Sequence, residues 1–235
     1  MVLEEDFITR GVTLLKGSRA NLAHRDGDRV VVNTEDGRQV TGSHCLLAVG
    51  SVPNTADIGL EELGIAMDRG FVEIDELQRT SLPHIYAAGD IAGNMPLSSV
   101  ASQQGLEVAR HMLGHPVTQL DYSKVAQAIF SKPEIASVGL EEVDAAAAGR
   151  KVRITNVPLA ANPQALIVGD ARGFVKVISD PATKVVLGGT IVGRHAAELI
   201  ATIALAVSAR VRVDVLFDTM MVHPSLSESV SEAAE

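Results

Sequence analysis

The chain has 235 residues, enough to bury a sizeable core and of a length that suits two domains rather than one. Hydrophobic residues make up 46% and charged residues 21%, which excludes a disordered chain; a net charge of −9 with no Lys/Arg stripe argues against nucleic acid. No run of about 18 apolar residues suggests a membrane span, and the acidic opening MVLEEDFITRG lacks the apolar stretch of a signal peptide, so a cytoplasmic location is the default expectation.

Residues 2–10 have helical spacing and stop at Gly11 with no capping residue at their start, as if the chain began inside a helix. Strand-like runs follow at 12–15, 29–33 and 39–49, and Asp36-Gly37 between alternating apolar segments predicts a hairpin. The last of these runs ends in CLLAVG (45–50), a near-continuous apolar strand of the kind buried on both faces. Its Cys45, the single cysteine of the chain, reads as a small buried hydrophobe rather than a redox group.

After a break at 50–53, residues 60–64 predict a helical turn and 71–74 a short strand. The next segment, TSLPHIYAAGD (80–90), is the most informative in the chain. An apolar strand (Ile85, Tyr86, Ala87) runs into Ala88 and Gly89 and ends on Asp90. Small residues there let a backbone approach a bulky group, and a strand-end Asp can accept hydrogen bonds from sugar-like hydroxyls. A plain strand and turn with a solvated Asp explains the residues as well. A loop (91–96) leads to a helix over 97–113, closed by Gly114, whose first turns carry Ser98, Ser99 and Ser102. Free N–H groups at such an end favour anions or carbonyl oxygens.

A second segment starts near Asp121, with a strand at 126–130, a helix at 140–148 and a strand at 151–159. Residues 173–179 and 184–193 predict a hairpin around Asp180-Pro181. Apolar helices are expected at 195–209 and 213–220, the latter with Asp214 as a nearby cap, and a last helix at 225–234 starts with Ser225 and Glu228 at capping-box spacing. Strands followed by helices point to an α+β domain. His44, His84, His111, His115 and His195 lack metal-ligand spacing, so no metal is expected.

His223-Pro224 followed by Glu228 is the remaining candidate. A helical turn would bring the carboxylate back to the imidazole, orienting one ring nitrogen and making the other a better base. The capping box alone accounts for Glu228 equally well.

HPSLSESVSEAA (223–234) resembles the HPT-x-x-E signature of the pyridine nucleotide-disulfide oxidoreductases, the family of dihydrolipoamide dehydrogenase, glutathione reductase and mercuric reductase. The resemblance implies that His223 exchanges protons with redox-active thiols of the other subunit, that Glu228 polarises it, and that Ser225 replaces the usual Thr. TSLPHIYAAGD is similar to the family's second flavin motif, which assigns Asp90, with Gly89, to the ribityl chain of FAD; the helix after it carries over Leu97 and Ser98 as facing the flavin ring. LLAVGSVPNT (46–55) is similar to the stretch closing the nicotinamide-nucleotide domain, which sets Ala48 and Gly50 on the NAD(P) side. Ser51 stands there where Arg is usual, as does Gln164 further on. KPEIASVGL (132–140), residues 173–193 and AAELI (196–200) look like the dimerisation domain.

No G-x-G-x-x-G and no CxxxxC pair occurs, so the chain resembles the carboxy-terminal portion of such an enzyme. The implied fold is α/β plus α+β: the end of a two-dinucleotide-domain FAD/NAD(P)-binding fold, then a dimerisation domain. The expected divisions are 1–54 (NAD(P) domain, C-terminal part), 55–120 (returning part of the FAD domain) and 121–235 (interface domain). The implied function is electron transfer between NAD(P)H and a disulfide or dithiol such as lipoamide, in a homodimer with FAD, the isolated chain being inactive. The alternatives are an NAD(P)H:quinone-type flavoprotein without redox cysteines and a non-catalytic dimerisation fragment.

Overall fold

The computed structural model describes residues 2–235, in two compact units, 4–52 and 53–235. The first unit continues helix α1 (Val2–Thr9) into a three-stranded antiparallel meander, β1 (Ala20–Asp26), β2 (Arg29–Thr34) and β3 (Gln39–Gly42). The Asp36-Gly37 hairpin forms as expected, pairing Asn33 with Gln39. Arg38 first, and then Thr34, hold the Asp36 carboxyl well below the usual carboxylate range. Strand β1 was not expected, although Gly27-Asp28 supplies its turn.

Of the expected strands of this unit, 12–15 does not form and 39–49 forms only over its first four residues, as β3. Residues 12–15 and 43–49 take no regular structure, and Leu46 (89% exposed), Leu47 (76%) and Val49 (90%) face solvent. Cys45 is exposed as well, not buried. The physical reason is that a strand exists only through a neighbour's ladder of hydrogen bonds, and among the described residues none pairs with either run.

The second unit opens with a two-stranded ribbon, β4 (Met67–Asp68) and β5 (Phe71–Val72), over a small core of Ile65, Val72 and Ala87. Residues 85–87 form a single bridge, Arg79 to Tyr86, rather than the expected strand. A 310 turn over Asp90–Ala92 then leads into helix α2 (Ser98–Met112).

The rest is built on a five-stranded antiparallel sheet. In chain order its elements are β6 (Gln127–Ile129), β7 (Glu134–Gly139), α3 (Glu142–Ala147), β8 (Arg153–Pro158), α4 (Pro163–Ile167), β9 (Phe174–Ser179), β10 (Val186–Gly193), α5 (Ala196–Ser208), α6 (Val213–Phe217) and α7 (Glu228–Glu232). The strand order is β6-β7-β10-β9-β8. Strands β9 and β10 form the expected hairpin, its turn fixed by Asp180 Oδ1, which accepts N–H bonds from Ala182 (3.0 Å) and Thr183 (2.8 Å). Strand β7 and helix α4 were not expected; β7 is an inner strand and pairs with both β6 and β10.

Helix α5 packs on β7 and β10, and α7 lies against β9. Val175, Val177, Ile191, Ile200, Ile203 and Val230 form the core between them. Apolar spacing on α5 drives this packing, since Ile200, Ile203 and Val207 fall on one face. Asp214 does not cap α6 through its side chain; it is paired with Arg212 at 2.6 Å. No helix among the described residues is long and apolar enough to cross a membrane.

Candidate active site

The loop from 223 to 228 brings together the two residues the sequence singled out. His223 Nδ1 lies 2.8 Å from Glu228 Oε1, while Glu228 Oε2 accepts the backbone N–H of Ser225 at 2.9 Å. A carboxylate can only accept, so Nδ1 carries the proton, and in the neutral imidazole Nε2 then holds the lone pair. Glu228 reaches back as the third residue of a capping box does, but the other half of the box is not made. Ser225 Oγ bonds Ser227 Oγ at 2.7 Å, and α7 starts at Glu228 rather than at Ser225. The Glu228 carboxyl is held below its ordinary value, first by the Ser225 N–H and then by His223. The imidazole projects outward, its side chain 70% exposed.

The flavin-type motif forms a separate site on the 310 turn. Gly89 adopts φ 84° and ψ −154°, a region only glycine enters readily, and a Cβ there would meet that of Ala101 at 3.3 Å. Its N–H donates to Gln104 Oε1 at 2.7 Å, and Gln104 Nε2 donates to the Tyr122 hydroxyl at 2.8 Å. Gln104 is 1% exposed, so this link from α2 fixes the turn from beneath. The sequence offered no signal for Gln104 beyond its place nearly two turns along α2.

Asp90 is exposed, and no donor among the described residues engages its carboxylate. Leu97 occupies the N-cap of α2 without a side-chain cap, so the N–H groups of the first turn, Ser98 among them, are free for a ligand. Beside them runs a groove of about 450 Å³ lined by Leu97, Ser98, Ala128 and Phe130. A bare glycine surface, a free carboxylate and an uncapped helix end suit a ligand carrying hydroxyls and carbonyls, as FAD does.

Ala48 and Gly50 lie in the exposed coil after β3, Gly50 with φ 110°. They belong to the first compact unit and share no element with Asp90 or His223. Of the remaining histidines, His111 Nδ1 pairs with the Tyr86 hydroxyl at 2.8 Å. Among the described residues no group of three or more His, Cys, Asp or Glu side chains could hold a metal ion.

Two family models match the chain. One, described as pyridine nucleotide-disulphide oxidoreductase, covers residues 1–105; the other, the dimerisation domain of the same family, covers residues 125–234. Among curated proteins, an NAD(P)H dehydrogenase (quinone) of Mycobacterium tuberculosis is 44% identical over 100% of this chain and 48% of its own length. A dihydrolipoyl dehydrogenase of Haloferax volcanii is 41% identical over 89% of this chain and 45% of its own. Among solved structures, LpdA from Mycobacterium tuberculosis superposes with a TM-score of 0.93 at 44% identity, covering 99% of this chain and 51% of that one. The HOCl-induced flavoprotein disulfide reductase RclA from Escherichia coli gives 0.92 at 27% identity, covering 98% and 53%. The chain thus spans about half the length of the relatives it matches.

Proposed function

The chain belongs to the pyridine nucleotide-disulphide oxidoreductase family, and from that premise we propose that it serves an FAD-dependent oxidoreductase moving electrons between NAD(P)H and a disulfide or dithiol such as lipoamide. The observation that carries this reading is the His223–Glu228 contact at 2.8 Å. A quinone needs no thiol base, whereas a dithiol substrate must shed protons as it is oxidised.

In this reading Asp90 and Gly89 hold the hydroxylated chain of FAD, and Leu97 and Ser98 present the amino end of α2 to its ring. Ala48 and Gly50 lie toward NAD(P). Bound FAD supplies the two-electron carrier between nicotinamide and thiol. His223 Nε2 takes a proton from the dithiol, and Glu228 keeps Nδ1 protonated and stabilises the imidazolium that forms. The divisions at 1–54, 55–120 and 121–235 correspond to the NAD(P), FAD and interface pieces. The interface piece pairs two copies about a twofold axis, so that His223 serves the thiols of the partner subunit. A cytoplasmic, soluble homodimer is the corresponding assembly.

A second reading, an NAD(P)H:quinone reductase, is favoured by the 44% identity to the mycobacterial quinone dehydrogenase and by Ser51 and Gln164 in positions where Arg is usual. A single assay separates the two. The protein is recovered with its native associates through a tag on this chain, and turnover is measured as NAD+ reduction by dihydrolipoamide and as NADH oxidation by a quinone. His223→Gln lowering dihydrolipoamide turnover 100-fold or more, on the scale of general-base catalysis, supports the first reading. Quinone turnover alone, indifferent to His223→Gln, supports the second.

A further inference from the structure

Asn162 is buried to 0% exposure in the connection between β8 and α4, 63 residues from Ser225 in sequence. Its Oδ1 caps α4, accepting the N–H groups of Gln164 at 2.9 Å and Ala165 at 3.1 Å. Its Nδ2 reaches the other way, donating to the Ser225 carbonyl at 3.0 Å and to Ser229 Oγ at 2.9 Å. Both donors and both lone pairs are used, and reversing the amide would set N–H against N–H, so the orientation is fixed.

Capping does not require this residue. Ser, Thr and Asp cap a helix as well as Asn does, through an oxygen alone. Only Asn among them adds two N–H donors, and both are aimed at the segment that carries Glu228. The Ser225 carbonyl bonds Asn162 and the Ser225 N–H bonds Glu228 Oε2, so both backbone polar groups of Ser225 are committed. We propose that Asn162 is a positioning residue for the His223–Glu228 pair, clamping the Ser225 backbone so that its N–H aims Glu228 at the imidazole. This rests on the reading of that pair as the acid/base group.

Three variants of the full chain test the clamp. Asn162→Ser keeps a neutral oxygen for the α4 cap and loses the amide donors. Ser229→Ala removes the other Nδ2 partner and leaves the Ser225 bond in place. Ile191→Val loosens the core elsewhere. The readout is the Glu228 carboxyl titration followed by carbon NMR. Asn162→Ser should move the midpoint up toward the ordinary carboxylate value, because the Ser225 N–H is the first cause holding it down. Ser229→Ala and Ile191→Val should leave it in place whatever they do to the melting temperature.

A folded Asn162→Ser protein with the Glu228 titration unmoved overturns the proposal. If that variant does not fold, Asn162→Thr preserves the same cap and gives the same reading. In the flavin-loaded enzyme, Asn162→Ser should lower dihydrolipoamide kcat on the order of 10- to 100-fold with KM for NAD+ unchanged. Failure of the acid/base reading looks different: no dihydrolipoamide turnover in the unsubstituted protein, with the titration still dependent on Asn162.

Discussion

Glu228 divides its carboxylate between two donors, one oxygen 2.8 Å from His223 Nδ1 and the other 2.9 Å from the Ser225 N–H. The backbone bond holds one carboxylate oxygen in place, and the other oxygen orients the imidazole. A capping interaction has in effect been turned into an orienting one.

That arrangement carries a pH signature. The Glu228 carboxyl is depressed below its ordinary 4.5 by the Ser225 N–H first and by His223 second. A depressed carboxyl contributes its tether fully above the ordinary value and loses it as pH falls through the folded value. The Ser225 amide proton shift should therefore titrate once, with a midpoint below 4.5, and Glu228→Gln should abolish that step. A Ser225 amide that does not respond to acid would separate the two groups.

Gln104 ties the turn at Gly89 to Tyr122 from a position 1% exposed. Gln104→Leu strands the Gly89 N–H without its acceptor. Unfolding in denaturant should show a loss of about 1–3 kcal/mol, the cost of leaving a buried donor unpaired. On the proposed reading flavin content should fall with it, because Gly89 would lie against the ligand.

Gly173 has no room for a side chain. A Cβ there would lie 1.8 Å from the Val192 carbonyl oxygen, and φ is 105°. Gly173→Ala must push β9 and β10 apart and adopt a backbone that L-residues avoid. A loss of at least about 3 kcal/mol is expected in thermal or denaturant melts. A melt like that of the unsubstituted protein would mean the hairpin register is wrong.

The solvent-facing run at 46–49 predicts the opposite behaviour. Leu47 is 76% exposed and Val49 90% exposed. Replacing both by Lys should change stability by no more than about 0.5 kcal/mol while reducing aggregation, because an exposed apolar stretch of this kind promotes association. Light scattering and a denaturant melt on the same sample check both halves.

What the sequence made legible follows from how local each signal is. Asp180 and its neighbours set the β9–β10 turn within four residues, and His223 and Glu228 are five residues apart, close enough for the loop between them to bring them into contact, although no helical turn does so. The run 45–49 misled because apolarity reports what a segment can bury, not whether a neighbouring strand exists to receive it. Strand β7 was missed because Glu134 and Ser137 interrupt its apolar pattern. Asn162-Pro163, an N-cap followed by proline at the first position, is a helix-start signal that went unread, which is why α4 was not expected. The donors that reach Ser225 leave no trace in a linear reading, because they depend on a contact 63 residues away.

The proposed flavin site is the turn at Gly89-Asp90, where the Asp90 side chain meets no donor among the described residues and helix α2 begins eight residues further on without a side-chain cap. The most direct measurement is the visible absorption spectrum of the protein recovered from its native cells through a tag on this chain. About one FAD per chain, largely lost in Asp90→Ala with the melting temperature little changed, is the predicted result. A colourless preparation, or flavin retained in full by Asp90→Ala, would contradict it.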